Sequence, residues 1–310
     1  MSREFSWRRA RPLLGTLVEI GLTADDADLG QQAISAAFEQ VARIHRLMSF
    51  HDPASELSRL NSAMPGEVLH VTPELYAVLS AALRFAHLSG GLFDPTVAPR
   101  LCALGYLPRH GFIGDGAGDW RDIELLPENR VCLHRPVHLD LGGIAKGYAV
   151  DRALVCLRER GIEQAVVNAG GDLAVVGEVA VPVHVRHPLD PIRYLHLAEL
   201  RGGAVATSAG YFSSRRHGDA WVTPLLNPHS QACLGLDVSI SVFAADCMTA
   251  DALTKVVAAD PDGAGAVLVR CGAHACLLRS DEGAAVMPLW LSGSAQQEPC
   301  SLERKAFRRV

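Results

Sequence analysis

His138-Leu139-Asp140-Leu141-Gly142-Gly143-Ile144-Ala145-Lys146-Gly147-Tyr148-Ala149-Val150-Asp151 is the stretch on which the reading of this chain turns. Val137 and Leu139 predict the end of a buried strand, and Asp140 falls where strand gives way to turn. The glycine pair 142–143 lets backbone approach a ligand closely, because no Cβ stands in the way. From Ile144 the spacing becomes helical, through Tyr148, Asp151 and Leu154. Free N–H groups at a helix start favour anions, and Lys146 adds a positive charge to that first turn. Two readings stay open on this fragment: a phosphate-binding strand–turn–helix, and a tight turn carrying a surface lysine. It is not a Walker A loop and has no GxGxxG, so neither nucleotide motif applies.

Working outward, alternation at Leu14, Thr16, Val18 and Ile20 predicts a strand over 13–22. Ile34, Ala37, Val41, Ile44 and Met48 recur at three and four, which predicts a long amphipathic helix stopped by Pro53. Ser55 to Asn61 reads as a short helical turn. Thr72-Pro73 starts another helix, with threonine as cap and proline at the first position, and Ser89-Gly90-Gly91 stops it. Residues 92–99, with two prolines and an acid, read as an ordered loop, and 108–120 as irregular and exposed.

Downstream, 164–168 is a strand, Ala169-Gly170-Gly171-Asp172 a hairpin turn and 173–176 the return. Further strands are predicted over 181–186, 195–200, 204–207, 238–244, 266–270 and 275–279. Residues 248–257 form a helix with Asp251 and Thr254 three apart on one face. Strands and helices mix without a βαβ rhythm, which argues an α+β fold with extensive antiparallel sheet.

The 310 residues are 49% hydrophobic, enough to bury a large core, and carry a net charge of -5 without a long basic run. Nucleic acid is therefore a poor partner. No apolar run reaches the roughly 18 residues of a transmembrane segment, and no signal peptide is read at the N-terminus. The eight cysteines include no CxxC. Free buried thiols in a cytoplasmic protein are the expectation.

Seven fragments, in order, carry a resemblance. They are Leu14-Gly15-Thr16; Leu47-Met48-Ser49-Phe50 with Ser55-Glu56-Leu57; 91–97 (GLFDPTV); 140–151; Asn168-Ala169-Gly170-Gly171-Asp172; Thr207-Ser208; and Thr249-Ala250-Asp251-Ala252-Leu253. In these the chain resembles the FAD:protein FMN transferase (ApbE-like) family. The resemblance implies a two-lobed α+β fold with a T-fold-like core, its mixed and antiparallel sheets flanked by helices. It places one such domain over 10–292, of two intertwined lobes, followed by a polar tail over 293–310. It further implies Mg²⁺-dependent transfer of FMN from FAD to a threonine of an acceptor protein, with release of AMP.

Position by position, the resemblance puts Leu14, Phe50 and Leu92-Phe93-Asp94 against FAD. Asp140 and Lys146 hold the cofactor, with Lys146 near the phosphates. The Gly143 carbonyl, Asp251 and Thr254 are magnesium ligands, and Asp251 and Lys146 carry the chemistry. Mg²⁺ favours such hard oxygen donors.

Two positions depart from the family pattern. Lys255 stands where a threonine ligand is usual, and Pro224 stands where a histidine is usual; His217 and His229 are the nearby substitutes. Many relatives are exported lipoproteins, and no such leader is read here. Three functions compete: the transferase, a flavin-binding or carrier protein that has lost catalysis, and an FAD pyrophosphatase giving FMN and AMP. Lys255 is also expected to neutralise Asp251 and weaken magnesium binding.

Overall fold

A computed structural model of the chain describes residues 5–109, 114, 116–188, 190–211, 213–235, 238–279 and 287–292. The expected tail lies outside them.

The first elements are the hairpin β1 (Phe5–Leu13) and β2 (Thr16–Ala24). Helix α1 (Ala27–Met48), α2 (Glu56–Asn61), strand β3 (Val68–His70) and helix α3 (Pro73–Leu88) follow. Next are α4 (Ala98–Ala103), strands β4 (Ile123–Leu126) and β5 (Arg130–Leu133), and helix α5 (Ala145–Arg158). Strands β6 (Gln164–Ala169), β7 (Asp172–Val176), β8 (Val181–His187), β9 (Asp190–Leu200) and β10 (Gly203–Ala209) form the central run. The small hairpin β11 (Arg215–His217) and β12 (Ala220–Val222) leads to β13 (Val238–Ala244). Helices α6 (Cys247–Ala259) and α7 (Gly265–Arg270) and strands β14 (His274–Arg279) and β15 (Met287–Ser292) complete the order.

Eight strands make one sheet in the order β1-β2-β6-β7-β10-β13-β14-β15, and every neighbouring pair in it is antiparallel. The period of two along these strands sorts residues between two cores. Ala204, Ala206, Ile240, Val242, Ala275 and Leu277 join the core shared with the helices. Their alternates Val205, Phe243, Cys276 and Leu278 face the other way, onto Val183, Val185, Leu195 and Leu197 of the β8–β9 hairpin. The sheet thus carries helices on one side and a two-stranded cover on the other. Helix α1 is capped by Asp26 on Leu29 N at 2.9 Å; α3 is capped by Thr72 on Leu75 N at 3.3 Å, as its sequence predicts. The α+β, largely antiparallel expectation holds.

Four local expectations need correction. Leu14 is not in a strand: Leu14 and Gly15 have φ of 55° and 71° and form the turn between β1 and β2. Alternation across 13–22 hides that turn, because a two-residue turn preserves the period. Residues 137–139 belong to no sheet. Asn61 takes the place of a strand neighbour, donating to Leu139 O at 2.9 Å and accepting from Leu139 N at 2.7 Å. Residues 265–270 are the helix α7, not a strand; a short apolar run does not distinguish the two. Within the loop expected over 92–99, Ala98 and Pro99 already belong to α4.

Candidate functional site: a charge cluster between two helices

Helix α5 begins at Ile144 without a side-chain cap of its own. Instead the Gly147 amide donates to Asp251 Oδ2 of α6 at 3.2 Å. Helix α6 receives the same service: Asp151 of α5 accepts from Cys247 N and Met248 N, each at 2.8 Å. Each helix thus supplies a carboxylate to the other's first turn, where free N–H groups and the helix dipole favour negative charge. Glycine at 147 permits the approach. A Cβ there would stand 2.6 Å from the Cys247 carbonyl carbon and 2.8 Å from Met248 Cα.

Asp251 is fully buried and therefore depends on its partners. Lys146 donates to Asp172 and lies 3.4 Å from Asp251 Oδ2. Lys255, one helical turn after Asp251, donates to Asp251 Oδ1. It also reaches Asp251 O at 3.1 Å and Ser208 Oγ at 3.2 Å. Thr254 Oγ1 donates to Asp251 O at 2.7 Å and lies 2.8 Å from Ser208 Oγ. Since the Thr254 hydrogen is spent, Ser208 is the donor between the two hydroxyls.

Two carboxylates and two ammoniums thus form one connected group. Burial opposes the charge of Asp251, but Lys146 and Lys255 outweigh it and hold its pKa below the usual carboxylate value. Burial and the neighbouring charge of Asp251 push Asp172 up. Lys146 is likewise opposed by burial, and the two carboxylates hold its pKa above the ordinary lysine value. Asp140 stands nearby. Burial raises its pKa, against the Gly142 N–H at 3.2 Å and the neighbouring lysines.

A second region lies beside this cluster. The Asp140 amide donates to Pro95 O at 2.8 Å, tying the start of the 140–151 stretch to the 92–99 loop. On that loop, Asp94 closes a tight turn on Thr96 N at 2.7 Å and borders a cavity of about 390 Å³. Gly91, Trp120, Arg121, Pro228 and His229 also line it. Burial raises the Asp94 pKa. His229 meets Gly90 O at 3.1 Å.

The predicted residues therefore fall into groups. Gly143, Lys146, Asp251 and Thr254 come together, with Asp140 alongside. Asp94 borders the cavity, and Leu92 on the same loop is half-buried against the main core. The rings of Phe50 and Phe93 are buried in that core. Leu14 sits in the β1–β2 turn, its amide donating to His45 Nδ1 at 3.0 Å. Pro224 is half-buried; of the two histidines nearby, His229 lines the cavity, whereas His217 is exposed on β11. Asp172 and Ser208 are given no site role in the sequence analysis. A buried acid immediately after a glycine turn was the signal for Asp172.

The donor set does not fit a divalent cation. Mg²⁺ takes about six oxygens at roughly 2.1 Å. Here both Asp251 oxygens face N–H donors, and the Thr254 hydroxyl is engaged on both sides. The Lys255 stem lies over Gly143, where a Cβ would stand 3.3 Å from Lys255 Cε. Among the described residues no group of three or more His, Cys, Asp or Glu is placed to hold a metal ion. The more exposed charges of the cluster are its two ammoniums.

The sequence and the fold have relatives among known proteins. The model of the ApbE family matches residues 14–277. An FAD:protein FMN transferase of Rhodobacter capsulatus is 29% identical over 295 residues, 87% of this chain; the chain spans only 55% of that relative's length. An FAD:protein FMN transferase of Klebsiella pneumoniae (strain 342) is 26% identical over 262 residues, 79% of each chain. The crystal structure of the ApbE protein of Thermotoga maritima superposes with a TM-score of 0.78 at 28% identity, covering 92% of this chain and 97% of that one. The flavin transferase ApbE of Vibrio cholerae shares the fold with a TM-score of 0.77 at 22% identity, covering 94% and 98%.

Proposed function

The chain belongs to the ApbE family, and from that premise we propose that it transfers FMN from FAD to a threonine hydroxyl of an acceptor protein. In that reaction the threonine oxygen attacks the FMN-side phosphorus of the pyrophosphate. The bond from that phosphorus to the bridging oxygen breaks, and AMP leaves with the electron pair. Such chemistry rests on positioning and charge neutralisation more than on covalent participation by the protein.

The observation that carries this reading is the seat of Lys146. Its ammonium is fixed between Asp172 and Asp251 on the first turn of α5. The threonine proton needs an acceptor, and Pro224 supplies none. Asp94 and His229, both at the cavity, are the groups we assign to receive it. A magnesium ion at Asp251 would compete with Lys255 for the same oxygens.

The test is incubation with FAD and a threonine-bearing acceptor protein, in MgCl₂ and in EDTA. In-gel flavin fluorescence and AMP release are read together. The expected result is a fluorescent acceptor with one AMP per label. AMP without label would make the protein a pyrophosphatase, and neither product would make it a flavin carrier.

A further inference from the structure

The four charged groups of the cluster are layered. The carboxylates form the floor, with Asp251 at 0% and Asp172 at 3% side-chain exposure. The ammoniums form the upper layer, with Lys146 at 31% and Lys255 at 22%. Within these four groups two negative charges are matched by two positive ones, and Asp140 alongside has its pKa raised by burial. A divalent ion arriving from solvent meets the ammoniums first. To reach Asp251 it would have to displace Lys255 from three acceptors: Asp251 Oδ1, Asp251 O and Ser208 Oγ.

Lys255 also fills the space between Gly143 and Asp251, with its stem over the one and its head on the other. All three of its N–H groups are spent within the protein, so it acts on a bound anion as a fixed charge. Lys146 has two named acceptors, Asp172 and Asp251, and keeps a third N–H for the ligand.

We propose that the Lys255 ammonium occupies the place of a divalent cation in this protein, and that the cluster takes the pyrophosphate of FAD without a metal. The proposal rests on the reading of the cluster as an FAD site. It gives the two lysines separate tasks: Lys255 neutralises, and Lys146 donates to phosphate oxygen.

Two measurements test it, one independent of FAD. In the first, MnCl₂ is titrated into the wild-type protein, K255T and K255M, with free Mn²⁺ followed by electron paramagnetic resonance. The wild type should leave the aquo-ion signal unchanged at millimolar metal. K255T, which frees Asp251 and adds a hydroxyl, should bind Mn²⁺, and K255M should bind it more weakly. Stoichiometric Mn²⁺ binding by the wild type would overturn the proposal, as would failure of a folded K255T to bind.

In the second, FAD is titrated by calorimetry in EDTA and in MgCl₂. The wild type should bind with the same affinity in both. K255T should bind about tenfold more weakly in EDTA and recover in MgCl₂. A wild-type affinity that rises about tenfold with magnesium would overturn the proposal. If either variant fails to fold by circular dichroism, the two wild-type arms still decide. A wild type that takes FAD under neither condition would overturn the FAD reading and the pyrophosphate half of the proposal; the manganese titration would then judge Lys255 alone.

Discussion

Asp151 and Asp251 do the same structural job in opposite directions across one helix pair, yet their electrostatic fates differ. Both are carboxylates on one helix accepting backbone N–H groups from the first turn of the other. Asp251 has two ammoniums against it, and its pKa falls. Among the described residues no ammonium group is a hydrogen-bond partner of Asp151; burial dominates over its two N–H donors and pushes its pKa up to about 7. The difference teaches that capping alone does not set a buried carboxylate's charge. Lysine does, and the side of the helix pair that has lysine is the side that can meet an anionic ligand.

The largest effect should come from removing the charged member. D251N keeps an oxygen for Gly147 N but leaves Lys146 and Lys255 facing Asp172 alone. Breaking a buried ion pair in this way costs about 3–5 kcal/mol. Denaturant unfolding should show a loss of that order, and FAD turnover should fall by about a hundredfold or more. Unchanged stability would mean that the two carboxylates are equivalent caps after all.

A smaller effect is expected where the two helices touch. G147A sets a Cβ against the backbone of Cys247 and Met248, which no rotamer change can relieve. Forcing the helices apart should cost about 1–3 kcal/mol and lengthen both sets of caps together. A melting temperature equal to that of the wild type would show that the close crossing is not required.

The smallest effect at neutral pH belongs to D151N. A carboxyl whose folded pKa lies above its ordinary 3.8 binds its proton more tightly in the folded state. Its stabilising contribution is complete below that ordinary value and is lost as pH rises through about 7. Wild-type stability should therefore fall relative to D151N between pH 4 and 8, by about 4 kcal/mol. Parallel pH profiles for the two proteins would remove the contrast between Asp151 and Asp251.

Much of the fold was legible because local physics repeats there. The spacing of Ile34, Ala37, Val41 and Ile44, the Thr72-Pro73 start and the Ser89-Gly90-Gly91 stop each report nearest-neighbour geometry. Lys146, Asp251 and Thr254, singled out through resemblance of separated motifs, come together in the structure. Asp172 and Ser208 were not assigned: an acid after a glycine turn marks Asp172, but its role and that of Ser208 depend on which strands lie beside α5 and α6. Phe50 and Phe93 show the reverse. They share motifs with site residues, yet their rings serve the core. The Asn61 contact to Leu139 spans 78 residues and leaves no periodic trace.

The reciprocal capping also bears on the order in which the molecule can form. The Gly147 and Asp251 partners are 104 residues apart in the chain, and Cys247 and Asp151 are 96 apart. Helix α5 has no side-chain cap of its own, and α6, capped locally by Asp246 on Thr249 N at 2.7 Å, still takes Asp151 for Cys247 N and Met248 N, so both first turns are completed only when the loop between them closes. The seat of Lys146 is then a late product of folding: a nascent chain halted before α6 lacks Asp251 and cannot assemble it. Amide exchange at Gly147, Cys247 and Met248 should accordingly report global unfolding rather than local fraying.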